Sequence, residues 1–166
     1  MTQGQHLAAD LRAMRQPTRT LLERIPADML AWKPHERSMT LGRLGMHIAE
    51  LPHWIVKSFA MAEFNFDTAG FTPHVPTTFH QIPEMQDSVW PEAVALLEGA
   101  SDADLAVAFT VKRGGAVTRS HPRSAEARRQ MMHIAHHRGQ LTVYLRLLEV
   151  PVPEMFGPTA DTRRPA

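Results

Sequence analysis

The sequence predicts an all-α domain built from four helical segments, with one short β-hairpin before the last. Three observations carry that expectation. Apolar residues recur at three-to-four spacing over four long stretches, the period of a helix with one buried face. The clearest alternation, Phe109 to Arg119 around Gly114-Gly115, is a two-stranded hairpin signal, too short to stand without helices against it. The length of 166 residues suits one domain with a sizeable core, since a chain of this size buries about 70% of its unfolded surface.

The first helix is expected from about residue 5 to 25, where Leu7, Leu11, Met14, Thr18, Leu21, Leu22 and Ile25 fall on one face. Pro17 removes an internal hydrogen bond, so a kink is expected near Ala13 to Pro17. Residues 28–35 place Trp32 between prolines, which reads as a turn-rich connection packed through the indole, with His35 solvated. Thr40 is suited to cap a second helix whose inward face is Leu41, Leu44, Ile48, Leu51 and Ile55. His47 belongs to that inward stripe, and Glu50 follows one turn on. Pro52 cannot donate to the carbonyl of Ile48, so a bend is expected just past His47, with the helix continuing to Phe59 and His53 facing elsewhere.

Residues 64–82 hold aromatics and prolines without a period and are expected to form a long loop, of the kind that makes lids or pocket walls. A third helix follows with Met85, Val89, Val94, Leu96 and Leu97 as core candidates, Pro91 as an interruption and Gly99 as its end. The fourth and longest helix starts near Ser124, with Glu126 in its first turn, and runs to about Val150 before Pro151-Val152-Pro153 stops it. Gly139 in its interior costs about 1 kcal/mol against alanine, which suggests a close neighbour there. The domain is expected over residues 1–158, with Met155 and Phe156 folding back and residues 159–166 a disordered tail.

Composition narrows the function classes. Eighteen basic and seventeen acidic side chains leave a net charge of +1, and the cations are scattered, so no stripe that would track phosphates is present and nucleic acid is a poor candidate partner. There is no cysteine, which excludes disulfides, thiolate ligands and a cysteine nucleophile, and any metal site must use nitrogen and oxygen. The first residues lack a charged start followed by an apolar run, and no stretch approaches membrane-spanning length. A soluble, cytoplasmic protein without membrane attachment is the expectation.

Possible chemistry concentrates on Met131 to Arg146. His133 and His137 are one helical turn apart on the same face, so two imidazole nitrogens could reach one ion. His136 is better placed at the rim or behind the ligands. With ten histidines in the chain, chance supplies roughly half an i,i+4 pair, so the pair alone is a weak motif. Its setting strengthens it: His133, His137, Gln140 and Tyr144 form a stripe that would face a helical interior, where buried imidazoles need partners. Hydrogen bonding among these side chains and the backbone would satisfy them as well as a metal. His47 is the one plausible distant partner, and a lone inward histidine is more often a satisfied core residue than a ligand.

Three stretches, Leu41-Gly42-x-Leu44-x-x-His47-Ile48-Ala49-Glu50-x-Pro52-x-Trp54, His133-x-x-His136-His137-Arg138-Gly139-Gln140-Leu141, and Val152-Pro153 with Phe156-Gly157-Pro158, resemble the DinB-like family, which includes the DinB and YfiT proteins. The Trp32-Lys33-Pro34 turn and the Gly-Gly hairpin fit the same pattern, and the resemblance runs from the first helix to about residue 160. It implies a four-helix bundle with a long crossover, often a homodimer, in which His47, His133 and His137 hold a divalent metal. Three neutral imidazoles leave such a site about +2 and open, suited to zinc, nickel or another first-row ion. Glu50 is then the candidate base or outer hydrogen-bond acceptor, and Gln140 and Tyr144 could line the cavity or simply pack. Relatives look like metal-dependent enzymes that use a low-molecular-weight thiol on small electrophiles, or like hydrolases. The resemblance therefore implies a small-molecule substrate and leaves three readings open: thiol transfer or isomerisation, hydrolysis, and a non-catalytic metal-binding stress protein.

Overall fold

The structure, a computed structural model, describes residues 1–162. Helix α1 (Gln3–Leu22) opens on a reciprocal cap in which Thr2 Oγ1 accepts from Gln5 N while Gln5 Oε1 accepts from Thr2 N. It runs through Pro17 and ends three residues before the expected Ile25. After a single 3-10 turn at Ala27–Met29, helix α2 (Leu41–Glu50) starts at the predicted cap, Thr40 Oγ1 accepting from Arg43 N at 3.2 Å.

The bend expected past His47 is a break. Helix α3 (His53–Ala60) is a separate element with Pro52 at its start, because proline offers no N–H to continue the hydrogen-bond ladder. The indole of Trp90 supplies a donor at this interruption, its Nε1–H reaching Ala49 O at 3.0 Å. Trp90 belongs to helix α4 (Gln81–Gly99), which packs on α1, α2 and α3.

Two short elements escaped the sequence reading. Strand β1 (Glu63–Asn65) lies at the start of the expected loop, and helix α5 (Asp102–Ala106) follows α4 behind a cap at Ser101. Neither is long enough to show a period. The expected hairpin is β2 (Ala108–Arg113) and β3 (Ala116–Pro122), and β1 pairs parallel to β2, making a three-stranded sheet in the order β1-β2-β3. Gly114 and Gly115 turn the hairpin with φ of 60° and 73°, and the Asp67 carboxylate accepts from both their N–H groups at 3.1 Å. Phe64, Phe109 and Val111 form a small apolar cluster on which Trp54 and Phe66 pack.

Helix α6 (Arg123–Leu147) follows β3 directly. Its cap position is Pro122 and not Ser124, since strand pairing continues to Pro122. The Arg123 guanidinium ties this start to the end of α3, donating to Ser58 O at 2.7 Å and Phe59 O at 3.4 Å. The buried face of α6 is Ala127, Met131, Ile134, Arg138, Leu141 and Leu145, packed on α1, α2 and α3. The stripe of His133, His137, Gln140 and Tyr144 therefore runs along the margin of that face: His137 is buried, His133 and Tyr144 are half-buried, and Gln140 is exposed.

Among the described residues the expected close neighbour of Gly139 is absent: a Cβ there would meet nothing within 4 Å. Close approach occurs instead at Gly4, where a Cβ would lie 2.3 Å from Leu97 O and 2.9 Å from Ala100 O. Gly4→Ala is expected to cost about 1–3 kcal/mol in a denaturant titration, because backbone must move to admit the methyl group. Gly139→Ala should be neutral or stabilising by up to about 1 kcal/mol.

The expected disordered tail over 159–166 falls, from residue 163 onward, outside the described residues. Before that point Thr159 Oγ1 donates to Val152 O at 2.8 Å, and Asp161 pairs with Arg146 and accepts from Val152 N. Among the described residues no helix is long and apolar enough to cross a membrane.

Candidate metal centre

Helices α2 and α6 pack side by side and bring His47, His133 and His137 together. One ring nitrogen from each lies within 4.8 Å of the other two, and the ring centroids are 4.6 to 5.1 Å apart. The two α6 histidines meet because a four-residue step returns the chain to the same face, their Nε2 atoms 2.8 Å apart.

Outer hydrogen bonds orient two of the rings. His137 Nδ1–H donates to Gln140 Oε1 at 2.7 Å, and His47 Nδ1–H donates to Glu50 Oε1 at 3.3 Å. The carboxylate of Glu50 and the amide oxygen of Gln140 accept, which assigns the proton to Nδ1 of each ring although Arg43 Nη2 also approaches His47 Nδ1 at 3.4 Å, and both rings turn Nε2 toward the shared space. Glu50 is itself held by Arg43, whose Nη2–H donates to the same Oε1 at 2.8 Å. Burial acts to raise the Glu50 carboxyl, but the hydrogen bond from His47 and the charge of Arg43 outweigh it and hold the group below its usual value.

The donor set fits a divalent ion. Burial, reinforced by the neighbouring His137 and His47, pushes His133 from the usual 6.5 down to about 4, and burial lowers His137 as well against the opposing bond to Gln140. Both rings are therefore neutral, as ligands must be, at any pH near neutrality. Among the described residues His133 Nδ1 is buried without a hydrogen-bond partner, while its Nε2 faces that of His137.

These depressed values set an acid dependence. A neutral buried imidazole stabilises the fold while the unfolded chain is also neutral, and loses that contribution as the unfolded state takes up protons that the folded state refuses. The metal-free protein is expected to lose stability as pH falls from about 6.5 toward 4, the interval between the two values for His133. Thermal unfolding of chelated protein across this range measures it, and His133→Ala should flatten the profile.

The other side chains singled out from sequence take outer positions. His136 is exposed, its ring 5.0 Å from that of His137, outside the group of three. Tyr144 donates to Met39 O at 3.2 Å and packs edge-on against Trp32, away from the pocket. His35 is exposed, as expected. His53 does not face elsewhere: at the start of α3, just past the break at Pro52, it lines the pocket beside His47.

That pocket has a volume of about 470 Å³, and His47 and His133 form part of its wall. Trp54, Phe66 and Phe71 make an aromatic side, with Phe66 and Phe71 rings 5.2 Å apart. Part of the expected loop, around Phe71, Thr72 and His74, closes one edge. The cations Arg43, Lys57, Arg113, Arg119 and Arg129 also line it, against the single carboxylate of Glu50. Sequence reasoning missed this group; its one local signal is that Arg43 and Arg129 each stand four residues before a histidine of the cluster, hence on the same helical face. Arg119 is braced from behind by Glu126, a fully buried carboxylate that also meets His121 and Gln130.

The DinB family model matches residues 1–162 of the chain. Crystal structures that share its fold include the following three. A DinB-like protein from Bacillus subtilis is 23% identical over 90% of this chain and 96% of its own, with a TM-score of 0.67. One from Bacillus cereus is 24% identical over 86% and 91%, with a TM-score of 0.63. A candidate DinB family member from Exiguobacterium sibiricum is 19% identical over 93% and 97%, with a TM-score of 0.70. No curated protein sequence matches the chain.

Proposed function

The chain belongs to the DinB family, and from that premise we propose that it is a metal-dependent enzyme acting on a small electrophile with a low-molecular-weight thiol, as an S-transferase or isomerase. In this reading α1, α2 with α3, α4 and α6 are the four arms of a helical bundle, and His47, His133 and His137 hold one zinc or nickel ion. The observation that carries the proposal is that two of the three clustered imidazoles, His47 and His133, line a pocket of about 470 Å³, within the range of ligand sites. A protein that only stored or sensed the ion would have no need of that opening.

A bound ion with three neutral ligands retains its charge and an open position, and would stabilise a thiolate. The residues of this chain do the rest. Glu50 fixes the His47 ring and Arg43 fixes Glu50, so the ligand lone pairs are aimed before anything binds. The wall of Trp54, Phe66 and Phe71 offers an apolar face to the body of a substrate. The chain has no cysteine, so the thiol must come from outside.

Hydrolysis would require a base free to take a proton from water. Glu50 is poorly suited, being already engaged by Arg43 and His47 and less basic than an ordinary carboxylate. Metal-loaded protein is to be supplied with a panel of thiols and small electrophiles, and separately with esters and amides without thiol. Thiol consumption lost in His47→Ala is the expected result; turnover of the second panel alone would overturn the proposal in favour of a hydrolase.

A homodimer in the cytoplasm completes the reading. The exposed face of α6 offers Met132, Val143 and Leu147 around the open surface at Gly139, which supports helix-to-helix contact between copies. A monomer mass in solution at micromolar concentration would remove it.

A further inference from the structure

The charge of the pocket points to its ligand. Five cationic side chains and one carboxylate line it, a formal excess of +4 (5 − 1) before any ion is counted. Two of the five have acidic partners: Arg43 is paired with Glu50 at 2.8 Å, and Arg119 approaches Glu126 at 3.5 Å. Among the described residues Lys57, Arg113 and Arg129 have no carboxylate within salt-bridge distance.

Lys57 and Arg129 are half-buried, and Arg113, though exposed, is laid against an aromatic ring. Lys57 Nζ stands 5.3 Å from the centre of the Trp54 ring and Arg113 Cζ 4.0 Å from that of Phe66, so the aromatic wall holds both cations in place. Arg129 lies one turn before His133 on α6, at the histidine floor. Like charges gathered around one concave space repel each other, and an anion entering that space relieves the repulsion. Guanidinium groups favour planar oxyanions that accept two hydrogen bonds, and the aromatic wall favours an apolar body over an inorganic ion.

We propose that the pocket selects small carboxylates with an apolar body, held by Arg129 and Arg113 with Lys57, and that this is the substrate class of the site. The inference rests on the reading of this pocket as the site of reaction. It does not need the metal, because the cations belong to the chain itself.

The test is calorimetric titration of the full-length protein with phthalate, benzoate and benzamide, which share a ring and differ in charge. Benzoate is expected to bind about tenfold more tightly than benzamide, and phthalate more tightly again, as charge-assisted hydrogen bonds replace neutral ones. Arg129→Gln and Arg113→Gln should each weaken phthalate binding about tenfold while leaving metal content unchanged; Arg12→Gln, at a remote ion pair with Glu98, should leave both alone. Benzamide binding as well as benzoate, or no binding by either carboxylate at millimolar concentration, overturns the proposal. Repeating the titration on chelated protein separates the two readings. Carboxylate binding that vanishes with the metal and ignores Arg129→Gln assigns the ligand to the ion and sinks the proposal. Binding that survives chelation and is lost in Arg129→Gln upholds it, and failure of that same protein to take up metal on repletion would separately remove the metal reading.

Discussion

Replacing His133 or His137 by alanine is expected to take metal content from about one divalent ion per chain to near zero after chelation and repletion. Each substitution leaves two imidazoles, and loss of a direct ligand should exceed the roughly 10–100-fold cost of losing an outer hydrogen-bond partner. Alanine is the strongest helix former, so α6 should persist and the loss cannot be assigned to unfolding; far-ultraviolet circular dichroism checks that. His136→Ala is the matched control, because His136 is exposed and outside the group of three. Elemental analysis showing wild-type metal in both variants would refute the assignment of His133 and His137 as ligands, and with it the three-histidine site.

Trp90→Ala is expected to lower stability by about 3–5 kcal/mol, a large share of the roughly 5–15 kcal/mol that holds a domain together. Trp90 is fully buried, and its ring fills the space where α4 meets the junction of α2 and α3. Its indole N–H also serves the carbonyl of Ala49 where Pro52 breaks the ladder. Alanine would leave a cavity and remove that donor together. Trp90→Phe should cost about 1–3 kcal/mol, since it keeps most of the volume and loses the hydrogen bond. Thermal scans should separate the two, at about 2–4 °C per kcal/mol for a domain of this size. Because Ala49 lies two residues after His47, the alanine variant should also weaken metal binding. A midpoint within about 2 °C of wild type would show that the indole is not what fastens this junction.

Much of the fold was legible because it is local. Leu7, Leu11, Leu21 and Leu22 recur at the helical period and are buried as that period requires, and Thr40 caps α2 because its hydroxyl is three residues from the amide it serves. The elements that escaped are those whose stability comes from elsewhere. Three residues of β1 are a strand only because β2 lies alongside, and five residues of α5 carry no period. Gly139 misled because an interior glycine can mark either a close neighbour or a surface position, and only packing tells which.

The sequence by itself determined the helical frame, the shared face of His133 and His137, the inward placement of His47 and the need for an external thiol in any thiol chemistry, since each follows from spacing or composition along one chain. Tertiary structure alone decided that α2 and α6 lie close enough to join the three imidazoles, that Glu50 turns to His47 and Arg43, and that Lys57, Arg113 and Arg129 gather around one cavity. The physical reason is distance. A helix places neighbours three and four residues apart by its own geometry, whereas cations that look scattered over more than seventy positions acquire a common field only when packing folds their segments around the same space.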